Sequence, residues 1–200
     1  MKSKFSFTIW AALAAVFLPL AALSQVAPET GNAPADRTEA PTKYAVFLGG
    51  GYVSLNQVPQ SRYGLFGETV SVTRDWGKYF GVTVDGGSYS HSTTSGNPGT
   101  PSVGMVLAGP EFHAHIYERT SVLAHVLLGG EHTGGESATP NISFAGGVGA
   151  GLEYRVKGRF SVRAYGDDIA SSFAVGPAGE GFSPHMRRNA RASFGVVYSF

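Results

Sequence analysis

Cysteine is absent from this chain of 200 residues. That excludes a disulfide framework, a thiolate zinc site and a cysteine nucleophile, and it is compatible with an oxidising compartment. Charge is scarce as well: Asp, Glu, Lys and Arg make up 14% of the residues, where a soluble domain carries about a quarter. There is no basic surplus to recruit nucleic acid, since the net charge is +1 and becomes −1 once Lys2 and Lys4 are removed. No apolar run reaches the roughly 20 residues of a spanning helix; the longest uninterrupted stretch, Ile9 to Leu18, is about half that. Helical apolar stripes are missing too. What the chain has in excess is glycine, with 28 residues, and aromatics, at 12%, a mix that suits short strands punctuated by turns.

Lys2 and Lys4 precede an apolar segment, Phe5 to Leu23, that contains Pro19 and ends in the small-x-small sequence Ala22-Leu23-Ser24 before Gln25. This predicts a cleaved secretory signal over 1–24. From Gln25 to about residue 43, Pro28, Pro34 and Pro41 stand among Ala, Glu, Asp and Thr without periodicity, which predicts a disordered periplasmic linker over 25–43. The folded domain is expected over 44–200.

From Tyr44 onward the pattern has period two, as in strands whose faces meet different surroundings. Ile142, Phe144, Val148, Leu152, Tyr154 and Val156 are apolar at even positions, while Ser143, Gly147, Gly149, Gly151, Glu153 and Arg155 alternate with them. Ala190, Ala192, Phe194, Val196, Tyr198 and Phe200 repeat the even face near the end of the chain. Eight strands are expected over 44–54, 65–74, 78–89, 103–117, 121–132, 142–155, 159–169 and 187–200. Three-residue loops at Asp75-Trp76-Gly77, Glu118-Arg119-Thr120 and Val156-Lys157-Gly158 preserve parity, and four long polar connections alternate with them.

Both faces cannot meet water. The odd face carries Asp85, Glu111, Glu131, Glu153 and Asp167 against Arg155, Arg159, Arg163, Arg187 and Arg191, with His113, His115 and His125 beside them. Balanced charge among Gly and Ala suits the narrow interior of an eight-stranded barrel, and the even face then meets lipid. The expected fold is all-β: an eight-stranded antiparallel up-and-down transmembrane β-barrel. A soluble periplasmic ligand-binding barrel is the alternative, with the even face turned inward.

The chain ends on Phe200, with Tyr198 two residues back and Gly195 five back. This ending resembles the signal by which the bacterial barrel-assembly machinery recognises outer-membrane clients. Together with Leu107-Ala108-Gly109-Pro110-Glu111-Phe112, it makes residues 44–200 similar to the small eight-stranded outer-membrane barrels, the OmpA-like transmembrane domain and the opacity-type proteins. The resemblance implies a barrel in the outer membrane of a Gram-negative bacterium, surrounded by lipid and lipopolysaccharide, with a structural or adhesin-like role through its external loops. Because the chain stops at Phe200, the peptidoglycan-binding domain that follows the barrel in OmpA, and cell-wall anchoring through it, are not expected.

Asp85, Glu111, His113, His115, His125, Glu153, Arg155, Arg163, Asp167 and Arg191 are expected to form an interior polar network. With the predicted loops, His113 faces His125 with His115 two residues along. That grouping is a weak candidate for zinc or copper beside Glu111, although convenient interior packing explains it more simply. Glu153 falls one diagonal from Arg163. An alternative reading is a lipid A deacylase-like enzyme using His91 with Ser92 or His132 with Thr133. Neither pair has the sequence setting of that family or a third group to orient the histidine. No cofactor, catalytic residue or nucleic-acid partner is expected.

Overall fold

The computed structural model describes residues 44–56, 62–92, 101–135, 141–173 and 182–200. The predicted signal and linker, and most of each long connection, lie outside the described residues. Eight strands follow one another: β1 (Tyr44–Asn56), β2 (Arg62–Asp75), β3 (Phe80–Ser92), β4 (Pro101–Tyr117), β5 (Thr120–Gly135), β6 (Asn141–Lys157), β7 (Phe160–Phe173) and β8 (Phe182–Ser199). Each pairs antiparallel with its sequence neighbour, and β1 pairs with β8 to close the barrel. Closure leaves no unpaired edge, the condition for a sheet to cross hydrocarbon.

The strands are staggered. Followed pair by pair around the sheet, Val46 leads through Val72, Val84, Ala108, Leu128, Gly146 and Ala170 to Arg188. Val46 itself pairs with Tyr198, ten residues further along β8. Such an offset tilts the strands by roughly 45° to the barrel axis.

The even positions point outward. Leu48, Val84, Val106, Val126, Leu128, Phe144, Val148, Leu152, Phe194 and Val196 are all exposed, whereas Asp85, Glu111, His125, Arg163, Asp167 and Arg191 are buried inside. The soluble-barrel alternative, which needs the even residues as its core, is therefore overturned. An outer surface of Val, Leu and Phe around a charged interior is the reverse of a water-soluble protein, and hydrocarbon is the surrounding it fits.

Rings mark the ends of the apolar band. Near the tight turns, Tyr44 and Tyr198 each stack on Phe200, Phe80 meets Phe112 edge to face, and Tyr198 packs tilted against Phe160. Toward the other end Tyr52 packs on Phe66 at 5.1 Å. These aromatics are placed as interfacial girdles.

The tight turns differ from expectation in register. At the first, the Trp76 N–H donates to Phe80 O (2.8 Å), so the reversal is Gly77-Lys78-Tyr79 and Arg74 pairs with Val82 instead of Lys78. At the second, Tyr117 pairs with Thr120 across only Glu118-Arg119, with a bulge between His115 and Tyr117. At the third, Lys157 pairs with Phe160 across Gly158-Arg159, again with a bulge, and Gly158 takes the left-handed φ of +55° such a turn needs. At the opposite end the strands run further than expected, and β4, β5, β6 and β8 reach 17, 16, 17 and 18 residues.

The seam between β1 and β8 is closed by reciprocal backbone bonds between Tyr44 and Phe200 and by Gly49 lying opposite Gly195. A Cβ on Gly195 would sit 2.2 Å from Leu48 O and 2.5 Å from Gly49 Cα. Gly195→Val is therefore expected to abolish the compact, heat-modifiable band when the purified chain is refolded in micelles. Because no assembly machinery is present there, normal refolding would mean that Gly195 matters only as part of a recognition signal.

Candidate functional site: the charged interior

Tilted strands bring inward side chains from opposite walls within reach of one another, and glycine makes room for them. Gly151 lies opposite Tyr165, and Gly149 lies opposite both His125 and Asp167. A Cβ on Gly149 would come within 2.0 Å of Asp167 Oδ1 and 2.4 Å of His125 Nε2. Small residues facing large polar ones are how so narrow a barrel fills without clash.

Glu111 of β4 is the centre of the cluster nearer the tight turns. Tyr165 Oη donates to its Oε2 at 2.6 Å, the Thr73 hydroxyl lies 3.3 Å from Oε1, and His113 Nε2 is 3.1 Å from Oε1. His125 Nδ1 and Arg163 Nη1 stand further off, each at 3.7 Å. Arg163 Nε donates to Glu153 Oε2 at 2.7 Å. The second cluster lies toward the middle: Arg191 Nε donates to Asp167 Oδ2 at 2.7 Å, and its Nη1 donates to Asp85. His125 links the two, with its Nε2 2.7 Å from Asp167 Oδ1 and its ring 4.6 Å from that of Tyr165. Asp85, Glu111, Glu153 and Asp167 thus face Arg163 and Arg191, and His113 and His125 are the remaining groups able to carry positive charge.

Satisfied buried charges rigidify a lumen, and removing one partner exposes the cost of burying the other. Tyr165→Phe deletes the shortest bond to Glu111 and is expected to cost about 1–3 kcal/mol, read as a lower denaturant midpoint for unfolding in micelles.

The slipped turns change two expected contacts. His125 lies opposite Glu111 and His113 opposite Leu123, so the two histidines do not face each other. His115 is exposed near the tight turns, and so is Arg155. Among the described residues, no group of three or more His, Asp and Glu is arranged to hold a metal ion, so the residues do not fit the zinc or copper site. Glu153, in turn, lies directly opposite Arg163 instead of on a diagonal. His132 and Thr133, adjacent on β5, point to opposite faces by strand alternation. The side chains of His91 and Ser92 lie outside the described residues.

Sequence reasoning missed Tyr165 and Thr73 as partners of Glu111. It also missed the apolar filling of the loop-side half of the lumen by Val53, Leu55, Tyr63, Leu65, Tyr89, Val103, Met105 and Leu107. The signal was present: alternation fails at Met105-Val106-Leu107 and Leu127-Leu128, where both faces are apolar.

No protein-family model and no curated protein matches the sequence. Solved structures do match by fold. Neisserial surface protein A (NspA) superposes with a TM-score of 0.63 at 13% identity, covering 79% of this chain and 97% of that one. Ail, the attachment invasion locus protein of Yersinia pestis, gives 0.54 at 16% identity, covering 78% and 97%. The chain has the fold of the small eight-stranded outer-membrane β-barrels.

Proposed function

We propose that this protein is an integral outer-membrane barrel of a Gram-negative bacterium that displays its external loops for surface interaction, in the manner of the OmpA-like and opacity-type barrels. It conducts no solute and catalyses no reaction. The observation that carries the reading is the reach of β4, β5, β6 and β8, at 16 to 18 residues, where about 9–11 tilted residues cross the hydrocarbon. Part of this surplus lies at the loop end, where it forms a rigid rim beneath the connections, and recognition loops are usually placed on such a scaffold.

The remaining expectations join this proposal: export by a cleaved signal over 1–24, a periplasmic linker over 25–43, insertion by the barrel-assembly machinery through Gly195, Tyr198 and Phe200, and lipid and lipopolysaccharide around the outer band. The buried charges of the lumen and its apolar outer half support a closed, structural interior.

Ail has also been solved in complex with the heparin analogue sucrose octasulfate. Here the connections 57–61, 93–100, 136–140 and 174–181 contain Glu136 and Glu180 but no Lys or Arg. These connections therefore supply no cationic contact of their own to a polyanion, and an uncharged polar surface is the partner they fit.

The test is display on cells that lack the protein, followed by measurement of cell–cell aggregation and attachment to protein-coated surfaces. Replacing 93–100 and 174–181 with Gly-Ser segments should abolish the gain while the heat-modifiable band persists. Equal aggregation and attachment with and without the barrel would leave it a purely structural protein.

A further inference from the structure

The loop-side half of the lumen is apolar on one wall and mixed on the other. β1 to β4 supply Val53, Leu55, Tyr63, Leu65, Tyr89, Val103 and Met105, while β5 to β8 supply Glu131, Thr133, Ser143, Ser171 and Asn189 beside Leu127, Ala145 and Ile169, all buried. Asn189 donates its side-chain amide to the Ser171 hydroxyl oxygen at 2.9 Å and accepts from the Asn56 N–H. The others are different. Glu131 is 1% exposed, and neither of its carboxylate oxygens has a hydrogen-bond partner. Thr133 Oγ1, Ser143 Oγ and Tyr89 Oη are likewise buried without one.

We propose that Glu131, Thr133 and Ser143 form an internal site for a monovalent alkali cation. Glu131 and Ser143 are direct cross-strand partners on the inner face, with Cβ atoms about 5 Å apart in such pairs. Thr133 follows on the same face of β5, and Tyr89 reaches that level through Val103, which pairs with both Tyr89 and Thr133. Ser171, whose hydroxyl hydrogen is not used by Asn189, faces the same carboxylate and adds a further oxygen at that level. Arg191, whose charge acts on Glu131, is already committed to Asp85 and Asp167.

The donors are all oxygen, a set that selects hard cations over the transition metals favoured by imidazole and thiolate. One carboxylate balances one positive charge. A divalent ion would leave excess charge against a wall of Val, Leu, Met and Tyr, where an uncompensated charge is costly.

The purified barrel, folded in micelles, would be unfolded thermally in NaCl, KCl and choline chloride at equal ionic strength. At least one alkali salt is expected to raise the Tm by several degrees over choline, saturably with concentration, and the NaCl and KCl arms separate the two ions. Glu131→Gln should remove that dependence and, in choline, melt no lower than the parent. If Glu131→Gln does not fold, the double variant Thr133→Val with Ser143→Ala should weaken the same dependence. Identical Tm values for the unmodified barrel in all three salts would overturn the proposal, as would a Glu131→Gln barrel that keeps the salt effect. Stabilisation by acid alone would put a proton in place of the cation.

Discussion

Arg191→Met is expected to destabilise the barrel by about 3–5 kcal/mol, the cost of leaving buried charges without their partner. Arg191 is 3% exposed and donates to Asp167 and Asp85, which come from β7 and β3 on opposite sides of the lumen. Methionine keeps much of the volume and can meet Met105, which lies 3.5 Å from the guanidinium, so the loss measures charge more than packing. A cycle separates the two. Asp85→Asn and Asp167→Asn added to Arg191→Met should restore most of the stability, because a buried network replaced as a unit can be nearly neutral. The measurement is the denaturant midpoint in micelles, and additive losses in the triple variant would contradict a charge network.

Val148→Arg is expected to cost about 2–4 kcal/mol, the value for Arg on the lipid face near the bilayer midplane. Val148 is 56% exposed, yet it lies on the outer surface among Val126, Leu128 and Leu152. The surrounding solvent decides the outcome. In water, an arginine at so exposed a position would cost close to nothing, as surface substitutions do. The loss should also shrink at Ile142, nearer the loop end of the same strand. Refolding yield and unfolding midpoint in lipid vesicles, compared between the two positions, read both effects.

Much of the fold was legible because the physics behind it is local. Period two, constant parity and alternating short and long connections located eight strands and assigned their faces, since alternation follows from the pleat whatever the neighbours are. The candidate site was less so, because it depends on register. Glycine and charged residues leave each turn free to close one pair earlier or later, and the bulges at His115–Tyr117 and Arg155–Lys157 have no distinct sequence mark. One such step moved His125 from His113 to Glu111 and brought Glu153 directly opposite Arg163. The meeting of Thr73, Glu111, His125, Arg163 and Tyr165 draws on four strands, so no pairwise reading of neighbouring segments reveals Glu111 as its centre. Glu131 was visible as an inward charge, but the apolar wall it faces across the lumen emerges only when β1 to β4 are in place.

The central claim is that the even face meets lipid. The absence of cysteine allows single spin labels at Ile142, Phe144, Val148, Ala150, Leu152 and Val156, with accessibility to oxygen and to a polar nickel chelate measured in lipid vesicles. Oxygen access should peak near Val148 and Ala150 and fall toward both ends of β6, while the chelate reaches only the ends. Chelate access at Val148 equal to that at Ile142 would place this face in water and contradict the account.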